Sequence, residues 1–156
     1  MIHGVSPIVT LLGATAVAPC PASHVHYGMD PGVEPGLRTI PWIATSNGAF
    51  HAHLFYFGGT PWRISKPRGA RIFTTAVRRP IAPKVLWLSR RGARTGRLVI
   101  RGRRLDALGS FTWRQSYRSG YQFPSYVEIP TAGCWRVTVS SGGSSGSVVF
   151  EAFDRF

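Results

Sequence analysis

The sequence predicts an all-β domain, an antiparallel sandwich or barrel, and three observations carry that expectation. From residue 50 onward, short apolar or alternating runs follow one another with Gly and Pro between them. No stretch shows the 3.6-residue apolar period of an amphipathic helix. The 156 residues are 44% hydrophobic and only 16% charged, so one folded domain is within reach and a disordered polyelectrolyte is excluded.

The strands can be justified in order. Residues 50–57 are apolar and aromatic, and residues 71–77 are β-branched and aromatic, ending before Pro80. Residues 84–89 form a short apolar run, joined by a turn containing Gly92 and Gly96 to the alternating residues 97–101. Residues 110–115 and 126–129 are further strands. Residues 134–140 alternate, with Trp135, Val137 and Val139 on one side and Cys134, Arg136 and Thr138 on the other. Residues 147–153 close the chain, and the Ser/Gly run 141–146 before them is a flexible hairpin loop.

Residues 48–156 are thus the β domain. Residues 19–47 are crowded with Pro19, Pro21, Pro31, Pro35, Pro41, Gly32 and Gly36, a composition that cannot build a helix and predicts an extended arm. Residues 1–18 read as a leader. Their apolar run, 8–18, ends in Ala14-Thr-Ala16 and Ala16-Val-Ala18, both matching the small-x-small pattern of signal-peptide cleavage. Pro19 disfavours the second, so the expected cut follows Ala16. No Lys or Arg precedes the run, which begins close to Met1; a start codon placed too far downstream accounts for both features. No apolar stretch reaches the roughly eighteen residues of a membrane-spanning helix.

Two cysteines, Cys20 and Cys134, suit a single disulfide closing a long loop in an exported chain. Two other readings stay open: Cys20 as the lipid-bearing residue of a lipoprotein, and two buried thiols in a cytosolic protein.

Three segments together, Gly102-Arg-Arg-Leu-Asp106, Phe123-Pro-Ser-Tyr126 and Gly133-Cys-Trp135, resemble a group of uncharacterised bacterial secreted or lipid-anchored proteins. Ile129-Pro-Thr-Ala-Gly-Cys-Trp-Arg-Val-Thr-Val139 likewise resembles the penultimate strand of bacterial immunoglobulin-like modules. The resemblance spans roughly residues 20–155 and implies an immunoglobulin-like antiparallel β-sandwich with an extended Pro/Gly-rich N-terminal arm. It also implies an extracytoplasmic location, secreted or membrane-anchored at the cell envelope, with Cys20-Pro21 directly after the leader. These motifs punctuate structure and imply no activity.

Charge is the strongest functional signal. Lys and Arg number 19 against 6 Asp and Glu, a formal +13, and all but Lys66 and Lys84 are Arg. Sixteen basic residues and one acid, Asp106, fall between Arg63 and Arg118. Alternation puts Leu98 and Ile100 on one face of their strand and Arg97, Val99, Arg101 and Arg103 on the other, while the preceding turn adds Arg90, Arg91 and Arg94. These six arginines make a candidate anion-binding patch, suited to bidentate contact with phosphate or carboxylate. Trp87, Trp113, Tyr117 and Tyr121 are candidate stacking platforms beside it. The bland alternative is a solvated outer face over an aromatic core, with the arginine excess a product of coding bias. The expected partner is an anionic cell-envelope polymer or a partner protein. An intracellular role on nucleic acid, or as accessory subunit of a larger assembly, is the alternative.

His24-Val-His26 and His51-Ala-His53 would each point both imidazoles to one strand face, a donor set for Cu or Zn with Cys20 or Asp30 nearby. Solvent-facing histidines are the simpler reading, and no metal or other cofactor is expected. Catalysis is not expected either. No Gly-x-Ser-x-Gly elbow, phosphate-binding loop or dinucleotide fingerprint occurs, and Asp106 and Glu128 read as turn residues or Arg partners rather than a glycosidase pair.

Overall fold

Side-chain alternation sorts the strands into two layers that share one core. The computed structural model describes residues 18–31, 33, 35–58, 62–76, 83–90, 96–117 and 120–154. Among them nine strands run β1 (Trp42–Ala44), β2 (Phe50–Leu54), β3 (Arg71–Phe73), β4 (Lys84–Ser89), β5 (Arg97–Arg104), β6 (Ser110–Ser116), β7 (Gln122–Tyr126), β8 (Gly133–Ser141) and β9 (Ser144–Phe153). One sheet has the order β1-β2-β4-β7, the other β3-β9-β8-β5-β6. All pairings are antiparallel except β3 with β9. Residues 1–17, all but the last position of the leader expected over 1–18, lie outside the described residues.

Phe50, Val85, Trp87 and Phe123 from the first sheet meet Leu98, Ile100, Trp135, Val137 and Phe150 from the second, all of them buried. Each such side chain contributes about 1.5–3 kcal/mol when fully removed from water. Trp87 brings a polar atom into this core, and its indole N–H donates to Ser125 Oγ at 3.0 Å, so no donor is stranded.

Three sequence expectations shift, each for a local reason. Residues 84–89 and 97–101 are not a paired hairpin: β4 and β5 belong to different sheets, and the chain between them crosses from one layer to the other. The strand expected at 126–129 lies earlier, at β7, and contains Pro124. A proline costs little there because β7 is an edge strand. The loop expected over 141–146 is only two residues long. Gly142 and Gly143 both have positive φ (54° and 80°), the mark of a type I′ turn, and Ser141 pairs with Ser144.

The Pro/Gly-rich segment is laid along the domain by backbone hydrogen bonds. His24 bridges to Gly69 and His26 to Trp42, and Ser23 N–H donates to the Val149 carbonyl. Proline removes donors and forbids helix, but it leaves the intervening residues free to pair with a sheet edge. Val25 is buried within the core, and β1 is itself part of the first sheet. Cys20 is disulfide-bonded to Cys134 at the start of β8, across 114 positions of sequence.

The segments Gly102–Asp106 and Gly133–Trp135 meet at that bridge. Leu105 N–H donates to the Cys134 carbonyl, and Asp106 Oδ2 accepts from the Cys134 N–H at 3.1 Å. Asp106 Oδ1 also takes the Arg104 Nε–H at 2.7 Å, and that guanidinium holds the carboxyl below its ordinary range. Gly102 faces Phe111, and a Cβ there would lie 1.9 Å from the ring, so only glycine lets the ring cross the strand.

A bridge closing so long a loop stabilises the fold by restricting the unfolded chain. Replacing both cysteines (Cys20→Ala with Cys134→Ala) should lower the free energy of unfolding in urea by about 4–5 kcal/mol. A loss under about 1 kcal/mol would mean that hydrogen bonds alone hold residues 20–47 in place.

Candidate functional site: an arginine face and a histidine–aspartate network

The outer face of the second sheet is built by strand register. On β5, Leu98, Ile100 and Gly102 are buried while Arg97, Arg101 and Arg103 are exposed, as alternation requires. β6 places exposed Arg114 opposite Val99, and β8 places exposed Arg136 opposite Arg103. Thr112, Thr138 and Ser147 continue the Arg101 row. Five arginines therefore share one face, and none of them has a carboxylate partner among the described residues. Glu151, at the margin, is already taken by Arg71 at 3.2 Å. Directly opposed residues in antiparallel strands hold their Cβ atoms about 5 Å apart, so Arg103 and Arg136 form a like-charge pair that an anion would relieve.

The six arginines named from sequence divide in the structure. Arg97, Arg101 and Arg103 stand together on this face. Arg90 follows β4 in the other sheet, and its guanidinium donates to the Pro31 carbonyl at 2.9 Å. Arg91 and Arg94 lie outside the described residues. Arg114 and Arg136 join the face although sequence alone did not group them with it; their outward parity was readable, their strand pairing was not. Of the expected stacking aromatics, Trp87 is buried in the core because β4 is flanked on both sides and packed on both faces. Trp113 and Tyr117 are half-buried against the same core, and only Tyr121 is exposed.

The two His-x-His pairs come close to each other on the first sheet. His51 and His53 leave the outer face of β2, and both reach Asp30, whose carboxylate is fully buried. His51 Nδ1 lies 2.8 Å from Oδ1 and His53 Nε2 lies 2.9 Å from Oδ2. An ionised Asp30 accepts an N–H from each ring and so fixes both tautomers. Trp42 stacks on His51 at 4.6 Å between ring centroids, and His26 stacks on the other side of Trp42 at 4.2 Å. His24 meets His26 edge-on. The indole thus separates the two pairs, and no group of three or more His, Cys, Asp or Glu side chains among the described residues is placed to hold a metal ion.

This network also sets protonation. Burial pushes the His53 imidazole below its ordinary 6.5, against the opposing pull of Asp30. Its Nδ1 is buried without a formed hydrogen bond, and the nearby Leu37 backbone joins Asp30 in pulling against the burial effect. His26 is lowered too, by burial first and then by its neighbours His24 and His51.

Two clefts open beside the imidazoles. One, of about 440 Å³, lies where Ser46 N–H reaches the Ser147 carbonyl between the sheets, and His24, His26 and Arg136 line it. The other, of about 350 Å³, is walled by Tyr27, Trp42, Lys66 and Arg68 and again by His24 and His26.

No protein-family model, curated protein or solved structure matches the chain.

A histidine whose pKa is lowered by folding binds its proton more readily in the unfolded chain. Stability should therefore be full above pH 6.5 and fall as the pH drops below it, by at most about 1.4 kcal/mol per pH unit for one proton. His53→Gln keeps a donor for Asp30 without the titration. Thermal unfolding between pH 7 and 5 should be shallower in that variant, and an unchanged slope would mean that His53 does not set the pH dependence.

Proposed function

We propose that the chain is an immunoglobulin-like sandwich acting as a non-catalytic binding module outside the cytoplasm, and that it contacts an anionic polymer through the outer face of β5, β6 and β8. The observation that carries this reading is the set Arg97, Arg101, Arg103, Arg114 and Arg136, gathered on one sheet face without carboxylate partners among the described residues. Guanidinium groups take phosphate, sulfate or carboxylate in bidentate fashion, and a flat array of them favours an extended ligand over a small one. The Thr112 hydroxyl and the mutually hydrogen-bonded Thr138–Ser147 pair, which keeps one O–H to give, continue the Arg101 row.

The finer fold assignment is supported by connectivity. The order β9-β8-β5-β6 in one sheet and β2-β4-β7 in the other corresponds to strands G-F-C-C′ and A-B-E of an immunoglobulin-like domain. β1 is an addition at the edge of the second group. The extracytoplasmic location is supported by the Cys20–Cys134 disulfide, since such bridges persist in oxidising compartments.

Replacing Arg97, Arg101 and Arg103 together by Ser should bring the protein off a dextran-sulfate column at clearly lower salt. The log–log dependence of affinity on salt should flatten by about one unit for each arginine–sulfate pair removed. Elution at an unchanged salt concentration would overturn the reading.

A further inference from the structure

The two clefts share one wall, and that wall is the imidazole pair His24 and His26. Arg136 lines the first cleft and belongs also to the arginine face, being registered opposite Arg103. Lys66 and Arg68 line the second, the Arg68 carbonyl accepting from the Val25 N–H between the two imidazoles. Ser23, Ser46 and Ser147 complete the lining of the first cleft with hydroxyl-bearing side chains, and the rings of Trp42 and Tyr27 that of the second. No carboxylate lines either cleft among the described residues.

The acid that acts on this wall among the described residues is spoken for. Asp30 sits behind Trp42 and His51, fully buried, with both oxygens engaged by imidazole nitrogens. The cationic groups of the clefts therefore have no carboxylate partner among the described residues. Lys66 adds a second sign: its backbone is held at φ 40°, a left-handed conformation rare for a residue with a side chain. Pro67 follows it, which makes helical conformations at Lys66 less favourable still. Strain of this kind persists where surrounding structure over-determines it, and here it comes at a cationic side chain on a cleft rim.

We infer that the two clefts form one groove that seats a short stretch of an acidic polysaccharide. Its anionic groups lie at Arg136 and at Lys66 with Arg68, and its sugar hydroxyls lie against the serines and imidazoles. A saccharide fits better than a nucleic acid on two grounds. The lining offers hydroxyl and imidazole partners rather than an open aromatic slot for a base, with Trp42 already stacked on both faces by His26 and His51. The disulfide also belongs to an oxidising compartment. The inference deepens the anionic-polymer reading above and rests on it for the class of partner, but it names a different set of residues.

Two tetrasaccharides, one from polygalacturonate and one from heparin, separate carboxylate from sulfate as the preferred charge. An oligodeoxythymidylate of equal charge tests nucleic acid. By calorimetry at low salt, one or both saccharides should bind the full chain more tightly than the oligonucleotide. In the same titration the imidazole C–H resonances of His24 and His26 should move, while that of His53 stays fixed. Lys66→Asn with Arg68→Ser, both exposed positions, should weaken the saccharide about tenfold or more, the loss of two charge-assisted hydrogen bonds. The triple change at Arg97, Arg101 and Arg103 should weaken it less than about threefold, because it leaves the groove intact. If the triple change abolishes binding and the Lys66/Arg68 pair does not matter, the groove is overturned while the arginine face stands. Retention on dextran sulfate without tetrasaccharide binding has the same meaning. Tighter binding of the oligonucleotide, moving the same imidazole resonances, would overturn the saccharide assignment.

Discussion

A buried carboxylate, acting with the disulfide and backbone hydrogen bonds, fixes how the N-terminal segment lies on the first sheet. An ionised group with no exposed surface is tolerated only when its oxygens are well bonded, and Asp30 meets that condition by accepting from His51 and His53 together. Breaking such an arrangement from one side typically costs about 3–5 kcal/mol, because the remaining charge stays buried. The residues around it follow from this attachment. With Asp30 seated on β2, the chain before it lies across the first sheet, the Trp42 indole N–H donates to the Gly28 carbonyl, and His26 stacks on the indole. The disulfide at Cys20 then ties the start of the same segment to β8. One end of residues 20–47 is fastened to the second sheet and its middle to the first, so the segment straps the two layers together and creates the clefts along its edge.

How legible this was depends on the range of the interaction. Strand faces were legible because alternation is local: Leu98 and Ile100 inward, Arg97, Arg101 and Arg103 outward, and Trp135, Val137 and Val139 inward on β8. The two-layer all-β class follows from many such segments. Which strand belongs to which sheet was not legible, since β4 and β5 are neighbours in sequence and sit in opposite layers. Composition described residues 19–47 as non-helical, and apart from a single 3-10 turn at Pro35–Leu37 no helix forms among the described residues there. It carried no information on whether they stand away from the domain, because pairing to an edge depends on partners such as Gly69 and Val149 far along the chain. The same limit applies to the sites. That His51 and His53 share a face is a matter of spacing, and that Asp30 meets both is not, with sequence separations of 21 and 23. Arg114 and Arg136 had readable parity but joined the arginine face only through register.

An arginine face this dense asks why folding tolerates it. Like charges about 4 Å apart repel by only about 1 kcal/mol in water, and salt screens them further. The planar guanidinium is also weakly hydrated and can lie along the sheet while its long stem covers neighbouring carbon. The penalty to the folded state is therefore small per residue and falls as ionic strength rises. A polyanion meets a different balance. Each guanidinium it engages releases counterions from the polymer, and those contributions add along the chain in a way that isolated pairwise repulsions do not. A carboxylate placed among the arginines would have stabilised the free protein slightly and weakened every such contact. The face lacks one among the described residues, and its marginal acid, Glu151, is committed to Arg71.

The same reasoning explains why the groove and the face belong together despite their different chemistry. A flat array of arginines gives affinity and steering without much discrimination, because charge is read at a distance and in any orientation. Concave lining with fixed hydroxyls and imidazoles gives discrimination, because hydrogen bonds demand position. Arg136 is common to both, directly across from Arg103 on the face and at the mouth of the cleft beside His24 and His26. On the binding role proposed above, a polymer drawn to the face by charge would be delivered by that side chain to the part of its path where shape and hydrogen bonding can test it.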